Sequence, residues 1–190
     1  VFSRFGDSPE SRYLTNDLAD AFAGQGFRVR VIHLPWESPQ GASEKFYVQD
    51  NGVEVLVSPP LVLNRLGRFG ALCAKWGGSS LLAARSGRRR FGKSPGDIVI
   101  GMSPIALGAF VWNWALRSAQ GGSYAYLADF FPFHHRAIGV MPGGLIFKLA
   151  HWLEECLLRR FSVVGCMSPL GLDYLARNYA LGPDQATGVV

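Results

Sequence analysis

Residues 97–101 read DIVIG, residues 101–110 read GMSPIALGAF and residues 166–175 read CMSPLGLDYL, and these stretches decide the fold. DIVIG is a short apolar run bounded by a polar residue and a glycine, the pattern of a buried strand. In the other two, Ser-Pro separates such a run from a longer apolar segment. Serine is a good N-cap and proline suits the first helical turn, so each is a strand-to-helix junction. A third Ser-Pro, Ser8–Pro9, precedes Leu14, Leu18 and Phe22, whose spacing makes one apolar helix face. Outward from these stretches the chain keeps alternating. Strands are expected at 1–3, 27–34, 53–57, 97–101, 124–127, 162–167 and 187–190, and helices at 8–24, 103–116, 145–161 and 168–179. One or two further helices, broken at Gly77–Gly78, fall within 61–93, and loops fill 35–51 and 128–142. Such alternation predicts a Rossmann-like α/β domain over residues 1–190, a parallel sheet with helices on both faces. Its strand-to-helix junctions share the carboxyl edge of the sheet, where ligands bind. Ser103 and Ser168 stand there beside unpaired helix N–H groups. They serve equally well as plain helix caps or as donors to a phosphate or sugar hydroxyl.

The chain has 190 residues, 48% hydrophobic and 17% charged, which excludes a disordered tail and allows a large core. A mean hydropathy of +0.13 points to a membrane or partner surface. Cys73, Cys156 and Cys166 show no C-x-x-C spacing, which excludes a disulfide scaffold and suits packing roles in a reducing compartment. No signal peptide is legible, and a chain opening on Val1 reads as a fragment or as a strand missing its start.

The net charge of +5 is not spread evenly. Residues 61–93 hold eight basic residues and no acidic one, so they carry +8, while the remaining eleven basic and fourteen acidic residues carry −3. Arg85, Arg88, Arg89, Arg90 and Lys93 stand there among Leu81, Leu82, Phe91 and Trp76. Basic residues beside apolar bulk are the composition of an interfacial helix on an anionic membrane, which makes these candidate membrane-binding residues. A solvated amphipathic helix is the plainer alternative. A nucleic-acid patch is disfavoured because no recognition module accompanies it.

Several motifs fail on context. Residues 87–94, GRRRFGKS, match the phosphate-loop expression, but Pro95–Gly96 and a strand follow where a helix is required. No G-x-G-x-x-G follows the first strand, no G-x-S-x-G occurs, and no His-rich metal spacing such as H-E-x-x-H is present. The 19 residues from 98 to 116 carry no charge, but Gly101, Ser103–Pro104, Gly108 and Asn113 suit a strand, turn and helix better than a membrane span. Of the histidines, His33 ends a strand and His151 reads as structural. His134 and His135 follow the strand YAYL, near Asp129, and are candidates by that location.

SRYLTNDLADAFAGQGFRVRVIHLP, residues 11–35, resembles the first helix and second strand of the N-terminal domain of family 4 glycosyltransferases with the GT-B fold. YLADFFPF, residues 126–133, resembles the Q-D-x-x-P loop of the subgroup acting in bacterial capsule and O-antigen synthesis, with Asp129 and Pro132 in the matching places. LEECLLRRFSVVGCMSPLGLDYLARNYAL, residues 153–181, is similar to that group's next helix, strand and helix.

The resemblance implies the acceptor-side half of a retaining glycosyltransferase, acting on a lipid-linked or polysaccharide acceptor. It implies a peripheral position on the cytoplasmic face of the membrane, with no nucleic acid partner. The nucleotide-sugar donor is then held by a C-terminal domain beyond residue 190, this domain holds no cofactor, and the 190 residues alone are inactive. On that resemblance Asp129 is expected to orient an acceptor hydroxyl or to hold a neighbouring side chain, and Arg12 to face an acceptor diphosphate from the first helix. The family's loop histidine corresponds to Ala128, so either His134 or His135 takes its role or no residue does. The contrasting expectation is a non-catalytic Rossmann-like membrane-recruitment module that needs a partner chain.

Overall fold

The computed structural model describes residues 5–6, 11–35, 42–61, 74–92, 96–117, 119–183 and 185–189. The chain divides into two units, Val1–Pro95 and Gly96–Val190.

In the first unit, α1 (Leu14–Gly24) leads into β1 (Arg30–His33), and β2 (Lys45–Val48) and β3 (Glu54–Val57) complete a three-stranded sheet of order β1-β3-β2. β1 runs parallel to β3, with Val31 opposite Val55 and Ile32 opposite Leu56, and these four residues are buried. β2 runs antiparallel to β3, so this sheet is mixed rather than parallel. β2 lies inside the expected loop 35–51 and is joined to β3 by a turn in which Gly52 takes φ +83°, a conformation that suits glycine. A π-helical turn (Ala74–Gly78) then leads into α2 (Ser79–Phe91).

The expected helix start at Ser8–Pro9 lies outside the described residues, and α1 begins only at Leu14. Its buried side is Thr15, Asn16 and Ala19, whereas Leu14, expected on the apolar face, is exposed. The reason is the Asn16 amide. Its Oδ1 accepts from the Gly6 N–H at 2.9 Å and the Tyr13 N–H at 3.1 Å, and its Nδ2 donates to the Gly6 carbonyl at 2.9 Å. A buried amide satisfied on both ends costs little, and it ties the preceding chain to the first turn.

In the second unit, β4 (Ile98–Met102), β5 (Gly122–Leu127), β6 (Val163–Cys166) and β7 (Ala186–Val189) form a sheet of order β4-β5-β6-β7 in which every pairing is parallel. A 3₁₀ turn (Ile105–Gly108) and α3 (Ala109–Ala115) connect β4 to β5. Two helices, α4 (Phe133–Ala137) and α5 (Leu145–Leu158), connect β5 to β6, and α6 (Pro169–Asn178) connects β6 to β7. This is an α/β unit with a four-stranded parallel sheet flanked by helices, an arrangement compatible with a Rossmann-like fold.

Covering of both sheet faces was the expectation, but β5 alternates half-buried and buried residues along its length. One face of this sheet is therefore the more deeply buried. Gly101 lets Trp112 approach that face, since a Cβ there would lie 3.0 Å from the indole. The Trp112 and Phe161 rings meet edge to face at 5.4 Å, and the indole N–H donates to the Ile105 carbonyl at 2.6 Å. Burying each ring contributes roughly 1.5–3 kcal/mol. The uncharged run 98–116 is thus a strand, a turn and a short helix, and among the described residues no helix is long and apolar enough to cross a membrane.

Candidate functional site

The second unit gathers Ser103, Asp129, His135, Glu154 and Ser168 around the carboxyl ends of β4, β5 and β6. Ser103 ends β4 and is buried. It does not cap the helix that follows it. Its Oγ accepts from the N–H groups of Ala128 and Asp129, both at 3.1 Å, and its own N–H donates to the Tyr126 carbonyl at 2.9 Å. Ser103 therefore clamps the segment that leaves β5 to the end of β4. That clamp sets the backbone of Asp129, whose Oδ1 is buried with no hydrogen-bond partner. A buried carboxylate oxygen without a protein partner is open to a donor from a ligand or from water.

The helix end after Ser103 was expected to offer N–H groups to a ligand. They are taken by the protein itself. Glu154, on the buried side of α5 and 1% exposed, accepts from Ile105 N–H at 2.9 Å and Ala106 N–H at 2.6 Å. Burial pushes its pKa up to about 8, against the pull of those two donors, with the Asp129 charge adding to the rise. An internal carboxyl thus fills the place an anionic ligand would need. Glu154 escaped the sequence reading, although an acid spaced four from Ala150 and three from Leu157 on one helix face was visible.

Ser168 behaves as expected of a cap. Its Oγ accepts from Gly171 N–H at 3.1 Å, and Pro169 opens α6. His134 and His135, expected on a loop, stand on the short helix α4. His134 is exposed, whereas His135 is half-buried with its ring 5.1 Å from Phe131. Burial lowers the His135 pKa, while the Asp129 carboxylate pulls it upward, so the two side chains share one electrostatic environment. Tyr179, buried after α6, donates its hydroxyl to the Phe131 carbonyl at 2.6 Å and so holds the start of α4. His151 is structural: its Nε2 lies 2.8 Å from the Asn178 carbonyl, and its ring packs against Phe133, Phe147 and Tyr179.

The remaining candidates lie in the first unit. Arg12 precedes α1 instead of lying on it, and its guanidinium bonds Asp17 at 2.7 Å and Asp20 at 2.5 Å. Those carboxylates raise its pKa, and both are held by the same guanidinium nitrogen, Nη2. On α2, Leu81, Leu82, Arg85, Arg88 and Arg89 are all exposed, opposite the buried Ser80, Ala83 and Gly87. Arg90 instead stands 4.3 Å over the Phe46 ring, and Trp76 is half-buried. Lys93, like residues 62–73, lies outside the described residues. The phosphate-loop look-alike begins in the last turns of α2, at the wrong end of a helix for phosphate. Among the described residues no group of three or more His, Cys, Asp or Glu is placed to hold a metal ion.

The fold and the site define an α/β protein with acidic and imidazole groups at a strand carboxyl edge. Its sequence matches no protein-family model, and a search of curated proteins finds no significant match.

Proposed function

We propose that the chain is the acceptor-side domain of a retaining glycosyltransferase, which moves a sugar from a nucleotide-sugar to a lipid-linked or polysaccharide acceptor at the cytoplasmic face of a bacterial membrane. The observation that carries this reading is Asp129. Its carboxylate has a buried oxygen with no partner, at the end of a central parallel strand, within the segment that resembles the Q-D-x-x-P loop. Such a group suits the task of orienting an acceptor hydroxyl. Ser103 fixes its backbone, and His135 shares its electrostatic environment. Retaining transfer on this kind of scaffold needs no protein nucleophile. It depends on holding the two reactants together and on stabilising the departing diphosphate, for which the donor-binding domain is the partner.

The test is direct binding of a short-chain prenyl diphosphate sugar to the 190-residue chain, followed by calorimetry. Saturable binding that the free diphosphate alone does not reproduce is the expected result. Heats no larger than those with empty detergent would overturn the reading.

The outward face of α2 supports peripheral attachment, because cations and leucines share it. Each basic residue near an anionic bilayer is worth about 1 kcal/mol, or roughly fivefold in binding. The triple change Arg85→Ala, Arg88→Ala and Arg89→Ala should therefore weaken binding to phosphatidylglycerol vesicles by roughly 100-fold at low salt, and by less as salt rises. Arg90→Ala should act instead on stability, through its contact with Phe46. Equal binding of the unsubstituted protein to phosphatidylcholine vesicles would count against an electrostatic role for α2.

A further inference from the structure

Helix α5 carries apolar residues on both its buried and its exposed side. Its buried side is Ala150, Glu154, Leu157 and Leu158. Opposite that side, Leu145, Leu149 and Trp152 recur at i, i+4 and i+7 and are 71%, 50% and 62% exposed. A surface helix of a folded domain ordinarily turns charged and polar residues that way. The turn before the helix adds Ile138 and Val140, also exposed. Along the chain from residue 130 to 153 the charge is of one sign, although Asp173 on α6, which is tied to α5 through His151, is also exposed. Residues 130–153 contain no Asp or Glu, while Arg136 and Lys148 are exposed. The next partly exposed acid, Glu155, is paired with Arg159 at 2.6 Å.

We infer that this face of α5 docks on an anionic lipid bilayer, with Leu145, Leu149 and Trp152 entering the headgroup layer and Lys148 and Arg136 meeting lipid phosphate. At ~1.5 Å per residue the 14-residue helix is roughly 21 Å long, shorter than the ~30 Å hydrocarbon core, so it lies on the membrane. Tryptophan favours the membrane–water interface, and the lack of acid between residues 130 and 153 complements a negative surface. A second copy meeting this face symmetrically would set Lys148 and Arg136 against their own like charges, which disfavours self-association. The inference stands on α5 alone and does not need the transferase reading or the basic face of α2.

The test compares the unsubstituted chain, Leu149→Glu with Trp152→Glu, Lys148→Ala with Arg136→Ala, and the triple arginine variant of α2 in co-sedimentation with vesicles. The vesicles are phosphatidylcholine alone or mixed with phosphatidylglycerol. The α5 double glutamate should lose binding by more than about tenfold while circular dichroism and the melting temperature hold, since both positions are exposed. Lys148→Ala with Arg136→Ala should weaken binding by roughly 25-fold, on the anionic vesicles only, with the melting temperature measured alongside because Arg136 also lies 5.1 Å over the Phe147 ring. Brominated lipid should quench the fluorescence of the unsubstituted chain more than that of Trp152→Phe, a readout independent of how the glutamate variant folds. Three results would overturn the inference: unchanged binding of the glutamate variant, equal quenching of the chain and Trp152→Phe, or a dimer by light scattering that the glutamate variant abolishes.

Discussion

Glu154→Leu should destabilise the protein by roughly 2–5 kcal/mol, read as a fall of about 5–15 °C in melting temperature. Leucine fills a similar volume and removes a buried acid, so packing alone would make the change mild. The loss comes from the other side of the contact. The Ile105 and Ala106 N–H groups, buried at the start of the 3₁₀ turn, each lose their acceptor and cannot reach water. Each orphaned buried donor costs about 1–3 kcal/mol, against a total stability of roughly 5–15 kcal/mol. A melting temperature within a degree or so of the parent would show that the two N–H groups find other partners.

Glu154→Gln separates the hydrogen bonds from the charge. The folded-state pKa of Glu154 is raised from 4.5 to about 8, so the folded protein holds a proton that the unfolded chain has released between those values. The native state then binds more protons than the unfolded one, and stability falls as pH rises. Glu154 thus contributes fully below pH 4.5, and that contribution is lost as pH climbs through 8, amounting to several kcal/mol across the window. Glutamine cannot ionise. Its variant should start less stable at low pH, with one acceptor instead of two, and should lack the downward slope. Parallel curves of unfolding midpoint against pH would mean that Glu154 is ionised throughout.

What the sequence could reveal of this arrangement follows from how local each signal is. DIVIG, YAYL and the Ser168–Pro169 cap were legible because their patterns act within a few residues. The strand KFYV was equally local, and Asn51–Gly52 beside it is a strong hairpin signal, so reading 35–51 as loop gave too much weight to its polar and proline-rich start. The Glu154 contacts were not legible in the same way, because their partners lie 48 and 49 residues away. A helical wheel shows that an acid sits on the buried face, but not which N–H groups receive it. The same limit applies to Ser103. Its Ser-Pro context predicts a cap on the next helix, whereas its Oγ accepts from N–H groups 25 and 26 positions on, across the β4–β5 ladder.

On the transferase reading proposed above, Asp129→Asn should cut sugar transfer by roughly 10²–10⁴ when the chain is assayed together with the donor-binding domain that reading requires, the range for lost acid–base or positioning groups. On the 190-residue chain alone it should weaken acceptor binding by about 10-fold or more, as expected for a hydrogen bond to a charged group. Stability should move little. The carboxylate oxygen Oδ1 is buried without a partner, so the change gives up no hydrogen bond at that atom. Ser103→Ala supplies the contrast. It strips the acceptor from the Ala128 and Asp129 N–H groups, which should lower stability by about 1–3 kcal/mol and raise the KM for acceptor before it lowers kcat. If Asp129→Asn instead left both binding and turnover intact, Asp129 would drop out of the site. His135 on α4 would then be the next group to test, ahead of His134, since it is half-buried beside Phe131 while His134 faces solvent.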